Sequence, residues 1–295
     1  MAEKTYKIKK HNIKKTKRVN RSTGGNILVF IMLLVLGGFM ILPVLYTVVQ
    51  AFKPMEELFI FPPRFTISNP TLKNFKLIGQ LVDNLWVPFS RYTFNSIFVS
   101  AAGTAGNVII ASMAAYPLAK NDFPGKKVLF KIVTVALLFS GGVLSLAQYI
   151  IMAKLHMINT YWALILPSVA TPMGLFLMKQ FMEGISTSLL EAARLDGMNE
   201  FQIYWSIVMP NVKPAWLTMI IFAFQGMWSM TGGNFIYKEG LKMLPTALAQ
   251  IQSGGIARAG VAAAANLLMF LPPVAMFLVT QSSIMETMAH AGIKE

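Results

Sequence analysis

The residues of this chain that could perform covalent or phosphate chemistry are few, and their spacing does not suit it. A loop that cradles nucleotide phosphates reads GxxxxGK followed by serine or threonine. Gly125-Lys126 is the one Gly-Lys pair, but lysine stands at 120 where the first glycine belongs and at 127 where the hydroxyl belongs. The chain therefore carries no ATP-hydrolysing loop of its own. The three histidines, His11, His156 and His290, are far apart, and there is no cysteine. That excludes a disulfide framework, cysteine-ligated zinc, thiolate catalysis and an iron–sulfur cluster, and leaves no histidine set to hold a metal. With no convergent nucleophile and base, the expectation is a non-catalytic protein with no cofactor or metal of its own.

What remains is binding chemistry. Asn95, Asn107, Gln148, Gln225, Asn266 and Gln281 fall in or beside apolar stretches. Amides there can exchange hydrogen bonds with solute hydroxyls as hydration is lost, which would make them the wall of a pathway. Their commoner use is interhelical hydrogen bonding, worth about 0.6–2 kcal/mol each. Gln225 beside Trp228 is the favoured wall pair, since an aromatic face next to an amide suits a sugar ring; Asn95, Asn107 and Asn266 complete the candidate set. The twenty methionines fit adaptable packing. Gly103, Gly106, Gly141 and Gly142 mark close helix contacts or, as the minority reading, a hinge.

The elements that would position these residues follow from composition. Of 295 residues 55% are hydrophobic and 13% charged, with mean hydropathy +0.56, so the bilayer is the expected solvent. A helix needs about 20 residues to cross roughly 30 Å of hydrocarbon. Six segments reach that length: 26–52, 94–119, 128–153, 160–182, 214–234 and 261–284. The first is too long for the apolar region of a signal peptide and lacks a clear cleavage site, so it reads as a retained helix. The second, fifth and sixth carry amides or Pro272-Pro273, as helices facing protein or water on one side do.

The formal charge of +14 is concentrated, with nine basic residues in the first 21 positions. A basic arm at 1–24 lying on anionic headgroups accounts for it better than nucleic-acid binding, because no aromatic stacking pattern accompanies the charge. With the N-terminus inside, seventeen basic residues fall inside and nine outside, giving both termini a cytoplasmic placement. The domain reading is then an arm at 1–24, a six-helix membrane domain at 25–285 and a cytoplasmic tail at 286–295.

Outside, 53–93 carries Pro62-Pro63 and Asn69-Pro70, the punctuation of an ordered turn-rich surface, and a glycine-containing loop spans 235–260. Inside, 183–213 is the informative stretch. From Ser186 to Pro210 it reads STSLLEAARLDGMNEFQIYWSIVMP, too polar to span the membrane yet helical in period. Ser186 or Thr187 can cap a first helix, Gly197 can stop it, and a second would run from Asn199 until Pro210 ends it. Two short helices joined at a glycine make a protruding knuckle. An amphipathic connector resting on the membrane surface satisfies the same spacing.

The residues themselves favour the knuckle. Glu191-Ala192-Ala193, then Gly197, then Ile207-Val208-Met209-Pro210 resemble the EAA loop of bacterial ABC importer permeases, with methionine where leucine is usual. Phe52-Lys53-Pro54, Pro62-Pro63 and Asn69-Pro70-Thr71-Leu72-Lys73-Asn74-Phe75 are similar to the first loop of maltose-type, MalG-like sugar permeases. Tyr116-Pro117-Leu118-Ala119 with Phe123-Pro124-Gly125-Lys126 resembles their second connection. The likeness covers nearly the whole chain after the arm.

That resemblance implies an all-α type I importer fold in which 186–210 is the coupling helix, docking on a separate ATPase subunit through Glu191, Ala192, Ala193, Asp196, Gly197, Ile207 and Pro210. It implies a second homologous permease, two ATPase subunits holding ATP and magnesium, an extracytoplasmic solute-binding protein, and a bacterial cytoplasmic membrane. The implied function is half of a translocation pathway for a carbohydrate, with neutral glucans, pectin fragments and uronate oligomers all open. The alternatives are a permease for an amino acid or phosphate, and an ion-driven transporter. The latter would need intramembrane carboxylates, and the central portions of the six spans have none.

Overall fold

The computed structural model describes residues 23–62, 64–83, 87–139, 141–253, 255 and 258–291. Residues 1–22 of the basic arm, and His11 with them, lie outside the described residues. Every regular element among the described residues is helical. In chain order these are α1 (Thr23–Phe52), α2 (Met55–Leu58), α3 (Lys73–Asp83), α4 (Phe89–Lys120), α5 (Lys126–Ala136), α6 (Gly141–Lys154), α7 (Trp162–Val169) and α8 (Pro172–Glu183). They continue with α9 (Thr187–Leu195), α10 (Glu200–Ile203), α11 (Met209–Asn211), α12 (Lys213–Trp228), α13 (Leu244–Gln252) and α14 (Ala259–Ala291).

The chain divides after Tyr46 into two compact units. The first holds most of α1, whose residues from Ile27 to Leu36 are all exposed apolar side chains. No charge interrupts that run, as lipid burial of a helix requires.

In the second unit α4 is the central helix, packed against α7, α8, α12 and α13. Small residues at spacings of three and four make this possible: Gly103, Ala111 and Ala115 lie on its buried face with Ser96, Ser100 and Ser112. A β-carbon built on Gly103 would sit 2.4 Å from Met227 Cε, and one on Gly106 2.7 Å from Val169 Cγ2, so both glycines are close helix contacts. One apolar cluster joins α4 to α8, α9, α10 and α12 through Tyr116, Met178, Leu190, Ile203 and Ala215. Another, at the other end, gathers Tyr92, Trp228, Leu248 and Ala264. The turn-rich 53–72 segment is ordered by Glu57, whose carboxylate accepts from the backbone N–H groups of Ser68 (3.1 Å) and Asn69 (2.9 Å). Buried Asn74 donates to the carbonyls of Ala51 and Lys53, both at 2.9 Å.

Among the described residues four helical stretches are long and apolar enough to cross a membrane: Gly24–Phe52, Phe89–Lys120, Trp162–Glu183 and Ala259–Ser282. The two remaining expected spans differ from their sequence reading. That at 128–153 is two helices, α5 ending at Ala136 and α6 starting at Gly141. That at 214–234 stops at Trp228, and the chain then turns through positive φ at Gly232 and Gly233. At sixteen residues α12 reaches spanning length only with the preceding Glu200–Asn211 segment, from which it is bent by 79°. Among the described residues four plain spans and one bent pair meet the length and hydropathy that crossing requires, against the six expected. At the C-terminus α14 continues to Ala291, into the segment read as a tail.

Candidate functional site

The knuckle at 186–210 is built by local sequence. Ser186 takes the N-cap position of α9 in extended conformation, but its hydroxyl meets Ser188 Oγ at 2.6 Å instead of a backbone N–H. With 3.6 residues per turn, Leu190 and Ala193 face inward and are buried, while Leu189, Glu191, Ala192, Arg194 and Leu195 face outward. Leu195 is 90% exposed. Ala193, expected at a partner surface, instead lets α9 approach its own bundle; Ala192 keeps the outward role.

Gly197 (φ +83°) closes α9. Met198 N donates to Ala193 O (3.1 Å) and Gly197 N to Arg194 O (3.0 Å), the paired bonds of a Schellman turn. Asn199 then starts α10 with a capping box: its Oδ1 accepts from Gln202 N at 2.9 Å, and its own N–H donates to Gln202 Oε1 at 2.8 Å.

Pro210 does not end the second helix as expected but sits inside α11. Its ring would clash with the carbonyl four residues back in a regular α-helix. Here residues Tyr204–Val208 form a π-helical turn, with Met209 N bonded to Tyr204 O, and the wider turn admits the proline. The chain breaks afterwards at Val212, and Pro214 opens α12. Ile207 is half-buried against the core and Pro210 exposed.

Three side chains bind this knuckle together through contacts that sequence reading does not give. Arg194 Nε pairs with Glu200 Oε1 at 2.8 Å across the glycine turn, and the hydroxyl of Tyr116 donates to Glu200 Oε2 at 2.6 Å. The hydrogen bond to the Glu200 carboxylate raises the Arg194 pKa above its ordinary value, against the opposing effect of burial. Asp196 is exposed at the end of α9. Gly197 signals the turn in the sequence, but a contact across 84 positions leaves no local signal.

The candidate wall residues are not gathered at one place. Buried Asn95 donates to the carbonyls of Gly240 (3.0 Å) and Lys242 (2.9 Å) and accepts from Tyr161 OH (2.6 Å). Buried Asn107 donates to Ser168 O and Thr171 Oγ1, both at 2.7 Å, beside the break between α7 and α8. Both amides therefore serve as interhelical hydrogen bonds. Trp228 is buried, stacked on Phe224 with centroids 5.8 Å apart and donating to Met269 O at 2.9 Å, so its ring is committed to α14. Gln225 and Asn266 are exposed, and Asn266 accepts from Gln252 at 3.1 Å. A cavity of about 390 Å³ lined by Asn107, Thr171, Met173, Met219, Met227 and Met230 is mostly apolar. Among the described residues no group of three His, Asp or Glu side chains could hold a metal ion.

The family described as "Binding-protein-dependent transport system inner membrane component" matches residues 26–280. The chain belongs to that family. As a member it is a multi-pass, non-catalytic permease subunit of an ABC transporter. The arabinooligosaccharides transport system permease protein AraQ of Halalkalibacterium halodurans is 28% identical over 86% of this chain and 91% of its own length. Protein LplC of Bacillus subtilis is 34% identical over 65% of this chain, and the match spans 63% of LplC. The polygalacturonan/rhamnogalacturonan transport system permease protein YtcP of Bacillus subtilis is 30% identical over 69% of each chain. Among solved structures, a bacterial ABC transporter involved in the import of the acidic polysaccharide alginate contains a chain that superposes with a TM-score of 0.73 at 20% identity, over 89% of this permease and 98% of that chain. At that identity the likeness speaks for the fold.

Proposed function

We propose that this permease forms half of the translocation pathway of a carbohydrate importer and passes the work of ATP hydrolysis to that pathway through the 186–210 knuckle. The observation that carries the coupling role is the outward face of α9: Leu189, Ala192 and Leu195 make an apolar stripe edged by Glu191 and Asp196, held by the Schellman turn at Gly197. Such a face suits a groove on another subunit better than water. The partners are a second homologous permease, two ATPase subunits carrying ATP and magnesium, and an extracytoplasmic solute-binding protein. The knuckle and both termini lie on the cytoplasmic side of a bacterial membrane, following the basic-residue distribution. The carbohydrate class is supported by AraQ and YtcP, named for oligosaccharide and polygalacturonan transport.

A specific observation favours an acidic sugar over a neutral one. At the end of α4 remote from the knuckle an open cleft of about 830 Å³ is lined by Arg91, Phe94 and Lys238, two cations and an aromatic ring. Carboxylate-bearing oligomers fit such a lining.

The test is mass spectrometry of proteins that co-purify with the permease in mild detergent, for the natural chain and a Glu191→Lys, Gly197→Val double variant. Recovery of a second permease and an ATPase, with only the ATPase lost in the variant, is the expected result. A chain that purifies alone or with itself would overturn the assignment. Uptake of oligogalacturonates measured beside arabino-oligosaccharides then decides between acidic and neutral cargo.

A further inference from the structure

On the reading that 186–210 is the coupling knuckle, we propose that Ser112, Tyr116 and Lys120 form a polar ladder that fastens the knuckle to α4, making α4 the helix that receives its motion. The three residues are spaced four apart and therefore lie on one face, spanning about 12 Å of helix. Each rung reaches a different part of the loop. Lys120 Nζ donates to Glu183 O at 3.0 Å and to Ile185 O, just ahead of α9, where a cation satisfies the free carbonyls at the end of α8. Tyr116 donates to Glu200 Oε2 at 2.6 Å, and the other oxygen of that carboxylate holds Arg194 of α9. The hydroxyls of Ser112 and Tyr204 lie 2.6 Å apart in the π-helical turn. Since Ser112 directs its own proton to Val108 O at 2.6 Å, Tyr204 is the donor.

The three attachments precede, bridge and follow the glycine turn, so a push on the outward face of α9 moves the knuckle and α4 as one body. The alternative route is the covalent one into α12. It passes through the break at Val212 and a bend of 79°, which transmits displacement poorly. Apolar packing of Leu190, Ala193 and Ile203 against Ala115 and Met178 supports the same interface, but packing alone permits sliding. Hydrogen bonds to a carboxylate and to helix-end carbonyls fix register. Tyr116, Glu200 and Lys120 are thus positioning residues, acting through the knuckle and not on solute or nucleotide.

The experiment uses the whole transporter, purified through this permease and reconstituted with its binding protein, and reads solute imported per ATP hydrolysed. Tyr116→Phe removes one oxygen and keeps the buried ring, so the folded state survives it. Tyr116→Phe and Glu200→Gln are each expected to lower the ratio by about tenfold, the factor matching one hydrogen bond to a charged group, with the ATPase subunits still bound. The double variant is expected to fall no further than Glu200→Gln. Lys120→Met is expected to uncouple in the same way, and Lys120→Arg to restore coupling. An unchanged ratio in an intact complex, multiplicative effects of Tyr116→Phe and Glu200→Gln, or loss of the ATPase subunits would overturn the ladder. A natural complex without binding-protein-stimulated hydrolysis would overturn the proposed function itself, and the ladder with it.

Discussion

Tyr92 donates its hydroxyl proton to Glu239 Oε1 at 2.7 Å, across 147 positions of sequence. Lys242 pairs with the other oxygen of the same carboxylate, and Arg91 Nε donates to Gly240 O at 3.2 Å. With the Asn95 amide on the carbonyls of Gly240 and Lys242, three side chains of α4 stitch the 239–242 segment to its first turns. The helix that meets the knuckle at one end thus holds the loop between α12 and α13 at the other.

The first prediction concerns pH. Burial pushes the Glu239 carboxyl up, but the hydrogen bonds from Lys242 and Tyr92 outweigh it and its pKa lies below the ordinary value. A depressed folded pKa contributes stability that is present above the unfolded value, about 4.3, and lost as pH falls through the folded one. Amide exchange in 239–242 should accelerate as pH is lowered below about 4.3, after correction for intrinsic rates. Glu239→Gln should exchange faster at neutral pH and lose that step; a step that persists in the variant would assign it elsewhere.

The second separates two glycines of α4. A β-carbon at Gly106 meets Val169 Cγ2, on a stiff β-branched side chain, whereas the nearest atom at Gly103 is the terminal methyl of Met227. Gly106→Ala should therefore destabilise more than Gly103→Ala, within the range of about 1–3 kcal/mol for overpacking. Thermal unfolding in detergent gives the order, and the reverse order would mean that Ser168, 2.8 Å from the added carbon at Gly103, is the less yielding neighbour.

At Gly197 the constraint is the backbone. Nothing lies within 4 Å of an added β-carbon, but φ is +83°. Alanine should cost about 1–2 kcal/mol and asparagine less, because asparagine tolerates the left-handed region. If Gly197→Ala and Gly197→Asn lowered unfolding temperature equally, backbone strain would not be the cause.

The knuckle was legible because its information is local: Gly197 as a stop and Asn199 as a cap each act within a few residues. Its fastening was not, because Tyr116 and Glu200 are 84 positions apart and either alone reads as an ordinary polar residue at a helix end. The spans were legible where composition is uniform, as in α1. They were less legible where a helix stops short of its apolar run, as α5 does at Ala136 and α12 at Trp228, because ending a helix leaves the hydropathy of the run unchanged. The inward turn of Ala193 was within reach of helical period alone, since Leu190 three residues earlier shares its face.

The last prediction tells wall from glue among the amides. Asn107 satisfies Ser168 O and Thr171 Oγ1 in a buried site, so Asn107→Ala should lower stability by about 1–3 kcal/mol, and any loss of transport would follow from that. Gln225 is exposed on an apolar helix. An amide there is unfavourable against lipid and is retained where it meets water or another polar chain. Gln225→Ala should leave the unfolding temperature of the assembled transporter unchanged and lower uptake. Loss of the second permease on purification of that variant would place Gln225 at the interface between the two chains, and unchanged uptake with unchanged assembly would remove it from the pathway.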